Sequence, residues 1–260
     1  TRFTLDYGQA YLAYDARFGN QGMAQFLFSD ILGNHRFYIA SEMEITLKGS
    51  DYLISYYNLE DIIDWQYLLF HNSYKYLSSA DYSTGAVQYK RNRILGLFIG
   101  AQIPISKFAR FEASFSTNYT EHALVEEYQE YGFVEENEFI EDSFITMMPG
   151  IQYIWDNTIW EYIHPVEGSR ININYEYSPK INSKSLRFQK IIIDSRIYKR
   201  LTVGTSIAAR ITGGSIWGPD KNNILFRMGQ PAIISNDGYE IDNQSTSREI
   251  FYASYLYPLR

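Results

Sequence analysis

The chain has 260 residues, 30 acidic and 23 basic side chains and a formal net charge of −7, so it lacks the basic footprint of a nucleic-acid binder. It contains no cysteine, which excludes a disulfide framework and a thiolate metal site. Aromatic residues make up 17% of it, with 24 Tyr and 16 Phe, a content that suits a protein with two aromatic girdles at water–lipid boundaries. No apolar run approaches the ~18 residues of a transmembrane helix, but strands that cross a bilayer need no such run. No secretory leader is visible at Thr1-Arg2-Phe3, so an exported protein is expected to begin here after cleavage or in mid-chain.

In chain order, the hydropathy pattern has a period of two almost throughout, which is the period of a strand with two unlike faces. Phe3 to Tyr14 is predicted as a first strand, then Met23 to Asp30, with a tight turn at Leu32-Gly33-Asn34 leading into His35 to Thr46. Gly49 to Asp51 turns again, followed by Tyr52 to Asn58 and Ile63 to Tyr76. The polar stretch Ser78 to Thr84 is predicted as a loop. Val87 to Ile105 and Phe108 to Thr120 form the next pair, joined at Ser106-Lys107. Glu121 to Asp142 breaks the rhythm with nine carboxylates and no Lys or Arg, and is expected to be a solvated loop. Ser143 to Trp155 resumes the alternation.

The most regular hairpin lies between Gly150 and Pro179. There Ile171, Ile173, Tyr175 and Tyr177 alternate with Arg170, Asn172, Asn174 and Glu176, and Pro165 and Gly168 punctuate the connection. Leu186 to Tyr198 shows a phase slip near Lys190 that reads as a bulge. A turn at Arg200-Leu201 leads to Thr202 to Thr212, then an irregular stretch from Gly213 to Arg248 and a last strand from Phe251 to Leu259.

About twelve strands result, with short turns on one rim and long loops on the other, as in bacterial outer-membrane barrels. One face of the strands is nearly free of charge. The other carries Arg110, Glu112, Gln152, Arg170, Asn174, Glu176, Lys190, Asp194, Arg196 and Arg210, both signs together, as a hydrated lumen requires. The expected fold class is all-β, a transmembrane antiparallel β-barrel. A passive porin-like channel and a soluble β-protein or barrel enzyme stand as alternatives.

Some residues carry a family resemblance. Gly150-x-x-Tyr153 with Asp156, then Pro165-x-x-Gly168-Ser169-Arg170-x-Asn172, resembles the eighth-to-ninth strand signature of the outer-membrane assembly and translocation superfamily. That superfamily includes barrel-assembly and two-partner-secretion barrels. Phe28-Ser29-Asp30-x-Leu32-Gly33-Asn34, Gly96 to Ile105 with Pro104, Lys190-x-x-x-Asp194 with Tyr198, and Phe251 to Leu259 resemble further segments in the same order. The resemblance implies an outer-membrane location, a sixteen-strand barrel of which twelve strands lie in this sequence, and an N-terminal periplasmic domain outside it. It implies outer-membrane lipid, a client polypeptide and periplasmic or lipoprotein partners. It implies neither a cofactor nor enzymatic activity. The place of the family's long sixth loop is taken by Gly213 to Arg248. Its Arg-Gly-aromatic tip reads Asp237-Gly238-Tyr239 here, so the arginine is missing.

The candidate binding residues are therefore Arg170, Lys190, Asp194, Arg196 and Arg210 on the lumenal face and Gly229, Asp237, Gly238 and Tyr239 in the long loop. For Asp194 and Arg196, mutual ion pairing is the plainer reading. The carboxylates of Glu121 to Asp142 lack the spacing of a Ca²⁺ loop. His35, His71, His122 and His164 show no ligand spacing and are expected at rims or turns. No Gly-x-Ser-x-Gly elbow is present. Trp155, Trp160, Tyr162 and Trp217 are expected as girdle anchors.

Overall fold

A computed structural model describes residues 2–15, 19–43, 49–81, 86–130, 133–161, 164–202, 204–221, 224–225 and 232–233. The strands are β1 (Phe3–Asp15), β2 (Gly19–Asp30), β3 (His35–Met43), β4 (Asp51–Asn58), β5 (Asp64–Asp81), β6 (Ala86–Pro104) and β7 (Ala109–Glu130). They continue with β8 (Phe133–Asp156), β9 (Ile159–Glu161), β10 (His164–Ser178), β11 (Phe188–Thr202) and β12 (Thr205–Trp217), and two short strands, β13 (Ile224–Leu225) and β14 (Ala232–Ile233). One antiparallel 12-stranded sheet runs in sequence order from β1 to β8 and on through β10, β11 and β12, with β9 paired to β10 at its side. β13 pairs with β14 separately. The meander is that of a strand wall of a transmembrane barrel, and the predicted fold class holds.

The two faces of this wall differ in crowding as well as in polarity. On one face large apolar side chains stand exposed or half-buried in rows that follow the register. Phe26, Ile39, Ile54, Leu69 and Leu97 are successive partners across β2 to β6. Phe111, Tyr153, Ile173 and Ile193 are successive partners across β7 to β11. Ile54 and Leu69 are each 46% exposed, and Ile193 is 42%. On the other face Gln25, Ser55, Gln66, Leu68 and Lys190 are buried. In a single-layered sheet that difference means curvature, because side chains converge on the concave side and splay on the convex side. The convex side is the apolar one.

Aromatic side chains border the convex band. Near the short turns Phe37 stacks on Tyr56 at 4.6 Å, Tyr56 on Tyr67 at 6.0 Å, and Phe108 meets Trp155 at 6.1 Å. At the other border Tyr175 meets Trp217 at 6.4 Å, and the Tyr119 hydroxyl donates to Glu121. From Phe111 to Tyr119 the strand covers about 27 Å at ~3.4 Å per residue. A tilt of about 40° reduces this to roughly 20 Å, close to the ~25 Å apolar band of a membrane barrel.

Several sequence expectations need correction. Glu121 to Asp142 is no loop: β7 and β8 pair from Ala109↔Trp155 to Glu130↔Phe133, with one bulge at His122/Ala123. Countercharge comes from the neighbouring strand. Arg93 reaches Glu121 at 2.9 Å and Glu138 at 2.6 Å, and Arg91 reaches Glu138 at 3.5 Å. Ser78 to Asp81 belongs to β5, where Ser79, Ala80 and Asp81 pair with Gln88, Val87 and Ala86 of β6 after a register shift between Leu77 and Ser79. The β5–β6 and β7–β8 hairpins thus continue as paired strands on the long rim. Gly49-Ser50, expected among the short-rim turns, stands at their rim.

β11 continues through Arg200-Leu201 to Thr202, and β12 continues through Gly213 to Trp217. There is no bulge at Lys190, because the β10–β11 register is unbroken from Phe188 to Tyr198. Phe188 and Ile192 are apolar residues on the concave face, and they imitate a slip of phase. Pro165 and Gly168 lie inside β10, and the connection is lengthened by the β9–β10 ladder. His71 and His122 stand within strands, where His71 Nδ1 is 2.8 Å from the Ser50 carbonyl and His122 Nδ1 is 2.5 Å from Asn92 Oδ1. Tyr162, Gly229, Asp237, Gly238, Tyr239 and the strand expected at Phe251 to Leu259 lie outside the described residues.

Candidate functional site: the concave wall

The concave face divides into two halves. Across β2 to β6 it carries an apolar cluster set among buried polar groups such as Gln25, Ser55 and Gln66. Tyr38, Ala40, Leu53 and Leu68 form a buried cluster, with Leu27, Phe70 and Phe98 packed against it. Gly96 makes room for this cluster, since a Cβ there would stand 2.2 Å from Phe70 Cζ.

Across β7 to β12 the concave face is a ladder of paired charges and amides. Each member owes its place to the even-numbered parity that β7, β8, β10, β11 and β12 share on this face. Arg110 Nε donates to Glu112 at 2.6 Å. Gln152 Nε2 donates to Asn172 Oδ1 at 2.8 Å, and Asn174 Nδ2 to Glu176 Oε1 at 2.8 Å. Lys190, opposite Glu176 across the β10–β11 pair, is 4% exposed and holds Glu176 Oε2 at 2.6 Å. A buried ammonium needs such a partner.

Nearer the short-turn rim, Asp194 collects three donors. Arg196 Nε reaches its Oδ1 at 2.6 Å, while Arg210 Nε and Thr212 Oγ1 reach its Oδ2 at 2.7 and 2.9 Å. Arg170 lies opposite Asp156 of β8 and reaches its Oδ2 at 3.6 Å. The structure thus brings Arg170, Lys190, Asp194, Arg196 and Arg210 to one wall. The plainer reading of Asp194 and Arg196, mutual pairing, is what the geometry shows. Sequence reasoning did not name Asp156 and Glu176 as partners, although both share the lumenal parity of the residues they hold. It also missed the apolar cluster of β2 to β6, whose members look like ordinary strand hydrophobics.

The corner that positions Arg170 is built from Asn157 and Gly168. The Asn157 side-chain carbonyl accepts from Ser169 N at 2.7 Å, and Asn157 N donates to the Ser169 carbonyl at 3.0 Å. Gly168 has φ +101, and a Cβ there would stand 2.4 Å from the Asn157 carbonyl oxygen. Arg170, two residues on, is thereby held at the first rung opposite Asp156.

No family model matches this sequence, and no curated protein does. Among solved structures, the crystal structure of BamA from Haemophilus ducreyi lacking POTRA domains 1-3 is similar at 14% identity and a TM-score of 0.48. The similarity covers 83% of this chain and 42% of that one, so this chain spans less than half of its length.

Proposed function

We propose that this chain is the wall of an outer-membrane β-barrel that inserts, translocates or anchors polypeptide. The observation that carries the reading is the pairing of faces. Rows of exposed apolar residues bounded by aromatics suit acyl chains, while the opposite face holds charges in mutual pairs that only a water-filled or protein-filled lumen accommodates. The apolar cluster of the concave face separates this reading from a diffusion channel. A passive aqueous pore is polar inside, whereas the half-buried Leu27, Phe70 and Phe98 put apolar surface on this face, over the buried cluster of Tyr38, Ala40, Leu53 and Leu68. The ordered motifs around Gly150–Asn172 support the same superfamily. The proposed partners are outer-membrane lipid, a client polypeptide and periplasmic or lipoprotein components; the acidic balance speaks against nucleic acid.

Neighbouring positions of β6 give the test. A photocrosslinking amino acid at Leu97 is expected to capture lipid, and one at Phe98 to capture polypeptide. Equal capture of lipid at both positions, or conductance of an open pore in planar bilayers with Gly213 to Arg248 intact, would overturn the reading.

A further inference from the structure

Arg170, Arg196 and Arg210 are successive register partners on β10, β11 and β12. Adjacent strands lie ~4.8 Å apart, so three like charges stand side by side, an arrangement that is destabilising unless compensated. Among the described residues, the carboxylates within ion-pair distance of the row are Asp156 and Asp194. Three guanidiniums against two carboxylates leave one positive charge. The outer members of the row also keep donors free for a ligand. Arg210 has its side chain 56% exposed, and Arg170, 35% exposed, reaches Asp156 only at 3.6 Å. A guanidinium carries five N–H donors in a planar fork that matches the oxygens of a carboxylate or phosphate.

We infer that this row is an oxyanion-binding site on the lumenal wall, taking a carboxylate or phosphate group between Arg170 and Arg210 and over Arg196. The inference rests on the proposed reading of this face as hydrated lumen. Asp194 fixes Arg196 and Arg210 by hydrogen bonds, while Asp156 faces Arg170 at ion-pair distance from the other side. Two of the three guanidiniums are therefore held in place before the anion arrives, which lowers the ordering cost of binding. The oxyanion has two possible sources. One is a free anion or an acidic client group in the lumen. The other is the chain's own carboxylates at Asp237, Glu240 and Asp242, in a stretch without Lys or Arg.

Calorimetric titration of the full chain in detergent with inorganic pyrophosphate at low salt tests the site. Binding is expected to weaken by about tenfold or more in Arg170→Gln and in Arg210→Gln, the loss typical of a charge-assisted hydrogen bond. It is expected to be unchanged in Lys107→Gln, at the short-turn rim. If the wild-type protein is silent but the Asp237→Asn/Glu240→Gln/Asp242→Asn variant binds, and Arg210→Gln abolishes that binding, the site stands and the chain's own carboxylates occupy it. Silence of both proteins, or binding that survives both arginine changes, overturns it. Labelling of Asn172→Cys by a membrane-impermeant maleimide separates the two layers. A labelled cysteine without pyrophosphate binding removes the oxyanion site alone, while an unlabelled one removes the lumen reading beneath it.

Discussion

Phe70 of β5 lies across Gly96 of β6, its register partner on the concave face. The ring occupies the space that a side chain on residue 96 would take, with Cζ and Cε1 at 2.2 and 2.4 Å from an ideal Cβ. The glycine is therefore part of the apolar cluster that it appears to interrupt. Gly96→Ala is expected to cost about 1–3 kcal/mol through overpacking. Gly96→Ala/Phe70→Leu is expected to recover part of that loss, because the shorter side chain vacates the space. Urea unfolding in lipid vesicles reads both, and an additive double variant would contradict the contact.

The convex and concave faces predict opposite tolerance to charge along one strand. Ile173 stands in the middle of the apolar band, and Ile173→Arg is expected to cost about 2–4 kcal/mol, the penalty for a cation at the bilayer midplane. Asn174→Arg, one residue on, points into the ladder of polar groups and is expected to cost much less. The same vesicle unfolding measures the pair. Equal losses at the two positions would show that neither face meets lipid.

At the corner of β10, Gly168→Ala puts a Cβ 2.4 Å from the Asn157 carbonyl oxygen at φ +101. Strain of about 1–3 kcal/mol follows from the left-handed backbone alone. The expected readout is a lowered unfolding midpoint together with faster proteolysis between Thr158 and Glu167. Asn157→Ala removes the side-chain acceptor of the Ser169 amide and is expected to act in the same direction by about 1 kcal/mol.

The strand order was legible in the sequence because each strand's apolar face is continuous. The eleven strands along the sheet path follow the predicted order, and Ile171, Ile173 and Tyr175 face the side that their period assigned. What the sequence hid was non-local. Glu121 and Glu138 look like loop carboxylates until register places Arg93 of β6 opposite Glu121 and lets Arg91 and Arg93 reach Glu138 across β7. Phe188 and Ile192 imitate a bulge because a lumen can be apolar in places. The pairing of Arg170 with Asp156, and of Lys190 with Glu176, likewise needs the β8–β10 and β10–β11 registers, which no periodicity contains.

The turn between β2 and β3 carries a pH prediction. The Asp30 carboxylate accepts the His35 amide at 3.0 Å, which holds its pKa below the ordinary 3.8. Gly33, at φ +71, closes the turn onto the Asp30 carbonyl at 2.9 Å. A depressed carboxylate contributes stability that is complete above its unfolded pKa and is lost as pH falls through the folded value. The contribution of Asp30 is thus constant from neutral pH down to about 4–5 and disappears below 3.8. Hydrogen exchange at the His35 amide is expected to lose protection in that acid window, and Asp30→Asn is expected to flatten the change. Protection that persists in the wild-type protein well below the window would refute the role of the carboxylate.

The last prediction concerns Lys190 and Glu176, the most buried ion pair of the concave wall. The Lys190 side chain is 5% exposed against 21% for Glu176, so the two partners are not equivalent. Taking away the carboxylate leaves an ammonium in a place with little water, whereas taking away the ammonium leaves a carboxylate that still reaches solvent and still accepts from Asn174 at 2.8 Å. Breaking a buried pair by removing one partner costs about 3–5 kcal/mol, and replacing both partners by apolar groups of similar size is often near neutral. Glu176→Met is therefore expected to be the more damaging single change, Lys190→Met the milder, and Glu176→Met/Lys190→Met close to wild type. A double-variant cycle in vesicles measures all three. The order of the two single variants decides the matter, because a structural pair with symmetric burial would give equal losses. If Lys190→Met proves the worse, the lysine head group does more on this wall than neutralise Glu176.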